Sequence, residues 1–206
     1  MDRLTDFVIW LPAILVGLTF HEYAHARVAD ALGDNTPYYQ GRLTLNPLSH
    51  IDWLGFLLLA LVHFGWAKPV QVNPYNFKRV SIKTGMMLVA LAGPLMNILV
   101  AIVGLLAIKY LPTFTGGSTL YIADQLLQPL VWINVILASF NLIPIPPLDG
   151  YKILAGLLPG RQAGFMYSLE PYGTLILMLL IVTGVMGTVL DPFIRLVMGI
   201  LKLVVA

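Results

Sequence analysis

An apolar run from Phe7 to Val28 carries, near its end, Thr19-Phe20-His21-Glu22-Tyr23-Ala24-His25. Nothing else in the chain constrains the fold as tightly. A segment suited to hydrocarbon holds three ionisable side chains, each costing roughly 2–3 kcal/mol at bilayer depth even on the lenient insertion scale. Such groups default to function. On a helix, residues four apart stack one turn above each other, so His21 and His25 share a face. Two imidazoles so placed can hold one zinc ion, and Glu22 beside them suits a general base. The plainer alternative, three polar residues lining a helix contact, has the cost of burial in lipid against it.

That reading depends on a membrane, and composition supplies one. Hydrophobic residues make up 58% of the 206 and charged residues only 11%, with a mean hydropathy of +0.84. A soluble domain of this size carries far more charge, so the expectation is a polytopic membrane protein. The net charge of +2 comes from basic loops, and no nucleic-acid partner is expected. There is no cysteine, which excludes disulfides and thiolate metal ligands. The imidazoles are limited to His21, His25, His50 and His63. No cleavable secretory signal is visible, and the first apolar run is expected to remain as a span.

The expected fold is all-α, with about five to six membrane helices. It comprises these spans, a re-entrant or peripheral segment and short cytoplasmic β-strands. Spans are predicted at Phe7–Ala29, Met86–Ile108, Tyr121–Leu142 and Tyr172–Leu190. Pro192–Val205 either spans or lies in the interface. Ile51–Trp66 is short for a crossing and reads as the re-entrant or peripheral piece. Arg42–Leu45 alternates like a short strand, and Gly65–Pro74 reads as a strand or hairpin punctuated by prolines. Tyr151–Arg161 reads as a loop plus short helix. One integral membrane domain is expected over residues 1–206, with a core at about 7–155 and C-terminal helices at about 165–206. Within the second span Gly93 and Pro94 open a packing notch. Asn97 reads as a helix-bridging hydrogen bond ahead of a role in a substrate path.

Catalytic zinc takes three protein ligands and keeps a fourth position open. His50, His63, Asp149, Asp124 and Asp52 are candidates for the third. Asp149 is favoured, because it follows Pro144, Pro146 and Pro147, where a membrane helix must unwind. Unwound backbone at that depth is tolerated only where it lines a cavity or packs on protein. His21 and His25 end the first span and Asp149 ends the Tyr121–Leu142 span. The two ends share a side only if an even number of crossings separates them, so Ile51–Trp66 should not cross. Arg27, Arg42, Lys68, Lys78, Arg79, Lys83, Lys152 and Arg161 then fall on one face, which the positive-inside rule makes cytoplasmic. The N-terminus is expected outside, in a multi-pass cytoplasmic membrane protein with its site toward the cytoplasm.

The chain resembles the site-2 family of intramembrane zinc metalloproteases. The resemblance rests on His21-Glu22-Tyr23-Ala24-His25, Ala92-Gly93-Pro94 and Asn141-Leu142-Ile143-Pro144-Ile145-Pro146-Pro147-Leu148-Asp149-Gly150, and covers roughly residues 10 to 155. It implies a three-span catalytic core and one Zn2+ held by His21, His25 and Asp149, with Glu22 as catalytic base and Asn141 contacting the substrate or oxyanion. Gly41–Pro47 and Gly65–Val70 are similar to a small prokaryotic subgroup without PDZ or CBS domains. The implied substrates are single-span membrane proteins or signal-peptide remnants, cut near the cytoplasmic side of the bilayer. His50 reads as a loop anchor, with a role beside the metal as its alternative; His63 reads as structural. The competing functional readings are a small metal-ion permease and a zinc-binding membrane scaffold without proteolysis.

Overall fold

The computed structural model describes residues 3–62, 65–111 and 118–205. These residues are mostly helical. The long opening helix α1 (Arg3–Ala31) is followed by a short turn of helix α2 (Thr36–Tyr39) and by α3 (Trp53–Val62). Then come α4 (Ile82–Tyr110), α5 (Ser118–Asn141), α6 (Asp149–Leu157), α7 (Gly160–Leu169), α8 (Gly173–Val182) and α9 (Val185–Val205).

Helices α1, α4 and α5 form the core that positions the site. His21 of α1 meets Asn97 of α4, and His25 meets Val89. The pairing falls along one helix as it rises along the other, so α1 and α4 are antiparallel. Asn97 meets Asn134, and Gly104 faces Val131, which makes α5 antiparallel to α4 and parallel to α1. Small residues allow the close approach: a Cβ on Gly17 would stand 2.9 Å from Cδ1 of Leu137, and one on Gly104 2.8 Å from Cγ2 of Val131. Membrane helices pack this way because lipid offers no hydrophobic drive for their association.

Helix α9 seals the other side of α4 and α5. Val197 and Leu201, fully buried, join Ala101, Val131, Val135 and Ala138 in one apolar cluster. The start of α9, at Met186, Val189 and Leu190, packs on Ile143 and Leu148 beyond the end of α5. Its far end, at Val205, meets the ammonium of Lys109 at the end of α4. The segment for which the sequence left two readings therefore runs the length of the core.

Among the described residues two helical runs are long and apolar enough to cross a membrane: Ile82–Tyr110, with mean hydropathy 2.4, and Gly160–Val182, with 1.6. The single span predicted at Tyr172–Leu190 is not continuous. Gly184 adopts φ +73°, a left-handed conformation that ends helices, and the chain turns there from α8 into α9. The loop plus short helix predicted over Tyr151–Arg161 is mostly the helix α6, with a break at Leu158-Pro159 before α7. At ten residues, α3 rises only about 15 Å and is too short to cross.

The predicted strands do not form. Among the described residues the only β-pairing is an isolated antiparallel bridge between Ile51 and Ala67, beside the bond from the Lys68 N–H to the His50 carbonyl. Beyond it Pro69 and Pro74 lack donors, while Val70 and Asn73 direct their N–H groups to the carboxylates of Glu22 and Asp34. A ladder has no row of donors left to use. Likewise, residues 41–46 turn around the side chain of Arg42, whose guanidinium donates to the carbonyls of Ser49 and Pro69.

Candidate metal centre

Helix α1 presents His21 and His25 one turn apart, their rings 4.5 Å between centroids and nearly perpendicular. Both imidazoles and Glu22 are buried. Helix α4 comes against them at Gly93, where a Cβ would lie 2.5 Å from Cε1 of His21 and 2.5 Å from Nε2 of His25. The notch read from the sequence is therefore the seat of the two imidazoles. Pro94 has no N–H, so the Ala90 carbonyl one turn earlier lacks its usual helical donor. Ala90 lines the site.

The proton on each imidazole follows from its neighbours. Nδ1 of His25 lies 2.7 Å from the Val89 carbonyl oxygen, which only accepts, so Nδ1 carries the hydrogen. Nδ1 of His21 lies 2.7 Å from Oδ1 of Asn97. The other end of that amide faces the Gly17 carbonyl at 3.0 Å, which fixes it as the NH2, and Nδ1 of His21 again donates. In the neutral imidazoles both Nε2 atoms are therefore the lone-pair ends. They stand 3.0 Å apart, and each lies 3.2 Å from Oδ2 of Asp149.

Asp149 arrives from the end of α5. The chain unwinds over Ile143–Leu148 and restarts as α6, with Leu148 at the N-cap and Asp149 in the first turn. Gly150 lets that restart fold back tightly: a Cβ there would meet the Leu142 carbonyl oxygen at 2.2 Å. Oδ2 of Asp149 is buried and accepts no hydrogen bond. Three acceptor atoms facing one another at this range repel unless a proton or a metal ion stands among them. Two imidazole nitrogens and a carboxylate oxygen suit zinc, and all three candidate atoms lie within 4.8 Å of one another.

Glu22 lines the same cavity, of about 220 Å3, together with Asn141, Val70 and Pro147. Its Oε2 accepts from the N–H of Val70 at 2.9 Å. Arg42, buried at 4% exposure, grips the Val70 segment through the Pro69 carbonyl. Burial lowers the Arg42 guanidinium below its ordinary pKa, while the charge of Glu22 opposes that shift. Asn141 donates Nδ2 to the Leu137 carbonyl one turn back at 3.0 Å.

His50 does not join this cluster. Its Nε2 donates to the Thr44 carbonyl at 2.9 Å, and it lines a separate, apolar cavity with Leu18, Phe56 and Trp66. It anchors the loop. Asp52 accepts from the Gly55 N–H at 2.9 Å and caps α3, while His63 and the side chain of Asp124 lie outside the described residues. Sequence reasoning gave no role beside Glu22 or the histidines to the Val70 N–H, to Arg42 or to Asn134. Of these only Asn134 left a signal, an amide amid the apolar Val131-Trp132-Ile133 and Val135.

A helical membrane bundle enclosing a two-histidine, one-carboxylate site is the architecture of a membrane metalloprotein. Residues 9–183 match the model of peptidase family M50. The chain belongs to that family, the site-2 proteases, and is a membrane-associated zinc metalloprotease. It is 38% identical over 190 residues to the "Putative zinc metalloprotease YwhC" of Bacillus subtilis, covering 88% of this chain and 84% of that one. The "Putative zinc metalloprotease MJ0611" of Methanocaldococcus jannaschii is 32% identical over 158 residues, 72% of this chain and 70% of that one. The "Putative zinc metalloprotease Rip2" of Mycolicibacterium smegmatis is 30% identical over 190 residues, 86% of this chain and 68% of that one. No solved structure matches the chain.

Proposed function

We propose that the chain cleaves a peptide bond in a membrane-spanning segment of a single-span membrane protein or signal-peptide remnant, near the cytoplasmic side. In this reading His21, His25 and Asp149 hold one zinc and Glu22 is the general base. The observation that carries it is the convergence of two imidazole nitrogens and a carboxylate oxygen in one cavity with a buried glutamate.

When bound, zinc would polarise the scissile carbonyl and lower the pKa of water from about 15.7 toward about 7. Glu22 takes the proton of the attacking water and returns it to the leaving amine. The Val70 N–H holds Oε2 of that carboxylate, which leaves Oε1 for the water. Asn141, which lines the same cavity, would meet the substrate backbone. The substrate must be extended there, because a helix keeps its carbonyls in internal hydrogen bonds. Pro69, Val70 and Val72 line the cavity and offer backbone groups beside which an extended segment can lie.

The parity of the core supports a topology with the N-terminus outside, α1, α4, α5 and α9 crossing and the ligands near the cytoplasmic face. A permease would distribute polar groups through the depth of several spans, whereas His21, Glu22, His25, Asn97 and Asp149 gather at one level. The test compares membrane fractions from cells carrying wild type or Glu22→Gln. Truncated single-span proteins confined to the wild-type cells support the reading, and identical profiles oppose it.

A further inference from the structure

Asn134 is fully buried in α5, contacts none of the atoms that would touch zinc, and yet the polarity of the site runs through it. Its Nδ2 lies 2.8 Å from the Leu130 carbonyl, which only accepts, so Oδ1 is the end turned toward α4. That oxygen accepts from Nδ2 of Asn97 at 2.8 Å. The second hydrogen of the same NH2 goes to the Gly17 carbonyl at 3.0 Å. Both amide hydrogens of Asn97 are thus directed away from the site, and only its Oδ1 is left to meet Nδ1 of His21 at 2.7 Å.

Each bond in this series has one allowed direction, set at its ends by two backbone carbonyls. An amide turned the other way would aim Oδ1 of Asn97 at two oxygens and its NH2 at Nδ1 of His21. The imidazole would then accept at Nδ1 and carry its hydrogen on Nε2, the atom facing His25 and Asp149, where it blocks coordination. Gly17 adds to the arrangement by its missing side chain, since a Cβ there would press within 3.4 Å of the Asn134 amide.

We propose that Asn134 is a positioning residue of the metal centre. Acting through Asn97, it holds His21 in the tautomer whose Nε2 is free to ligate, so that zinc affinity depends on the seating of α5 against α1 and α4. This rests on His21 being a zinc ligand. Partners that orient a ligating histidine typically contribute 10–100-fold to metal affinity, whereas an amide that only joins membrane helices contributes to stability alone.

The test uses full-length protein in detergent, labelled with 15N-histidine and stripped of metal. Wild-type His21 is expected to show its hydrogen on Nδ1. Asn134→Leu is expected to mix in the Nε2–H form and to weaken zinc binding about tenfold, measured by competition with a chromogenic chelator. Asn134→Asp, whose protonated carboxyl can donate to Leu130 and accept from Asn97, is expected to stay within about threefold of wild type. A neutral His21 ring with its hydrogen on Nε2 and none on Nδ1 in metal-free wild type, or unchanged zinc affinity in Asn134→Leu, overturns the proposal. Equal losses in the Leu and Asp variants also overturn it, since they mark a packing role. Should Asn134→Leu fail to fold, the wild-type spectrum and the Asp variant decide. His21→Ala is the control: if it binds zinc like wild type, the ligand reading itself falls, whereas loss of zinc there beside an indifferent Asn134 removes only the relay.

Discussion

Gly93 of α4 lies so close to His25 of α1 that any side chain on it would enter the imidazole, its Cβ 2.5 Å from Nε2. What reads in the sequence as a packing notch is the wall of the metal site. Gly93→Ala is expected to push α4 off α1 and weaken zinc binding at least about tenfold. Gly104→Ala serves as the comparison, because its Cβ would meet Val131 rather than the site. It is expected to lower stability by about 1–3 kcal/mol while leaving zinc affinity near wild type. Chelator competition and unfolding in detergent, run on both variants, separate the two effects.

Glu22→Gln keeps the shape of the side chain and removes the base. It is expected to retain zinc and to lose about 10²–10⁴-fold in the cleavage rate of a reconstituted single-span substrate. A variant that cleaves at the wild-type rate contradicts the role given to Glu22. One that loses zinc shows Glu22 to be part of the metal site itself.

The chemistry was more legible than the geometry around it. His21, Glu22 and His25 are covalently bound to one helix, so their spacing alone places them on adjoining faces. Asp149 was reachable because prolines force a helix end and a carboxylate beside it needs a purpose. Val70 left no trace in the sequence, since what it contributes is a backbone N–H that every residue but proline has. Arg42 looked like one loop cation among several until the fold buried it between two carbonyls. The strand at Gly65–Pro74 failed for a related reason: alternation records side-chain faces, whereas a ladder needs donors, and these are absent at the prolines or taken by Glu22 and Asp34. Arg42–Leu45 instead turns around the Arg42 side chain. In the C-terminal third, apolar content marked out helix but not where it breaks, and Gly184 decided that.

Asp34 holds the loop after α1 in place. Burial by itself would raise its carboxyl, but hydrogen bonds from the Thr36 and Asn76 side chains and from the Asn73 and Thr36 N–H groups hold it below the ordinary value of 3.8. A carboxyl depressed in the folded state adds stability that is complete above its unfolded pKa and disappears as pH falls through the folded one. Asp34→Asn should therefore be less stable than wild type at pH 7, by about 1–3 kcal/mol. The difference should shrink as the pH drops below about 4. Unfolding in detergent at the two pH values checks this, and a gap independent of pH contradicts it.

The contact of Val205 with Lys109 puts the end of α9 beside the end of α4, away from the ligands. Because the chain has no cysteine of its own, single cysteines report sidedness cleanly. Lys109→Cys and Val205→Cys are expected to react with an impermeant maleimide from outside the cell, and Lys78→Cys only in inverted vesicles. Labelling of position 205 together with position 78 contradicts the placement of α9.

The decisive measurement is the zinc content of purified wild type and Asp149→Ala after an identical challenge with chelator, with circular dichroism confirming that both remain helical. Wild type is expected to retain about one zinc per chain and Asp149→Ala close to none. If Asp149→Ala keeps zinc at the wild-type ratio, the ion is not shared between the first helix and the proline-broken end of α5, and the proposed centre is wrong.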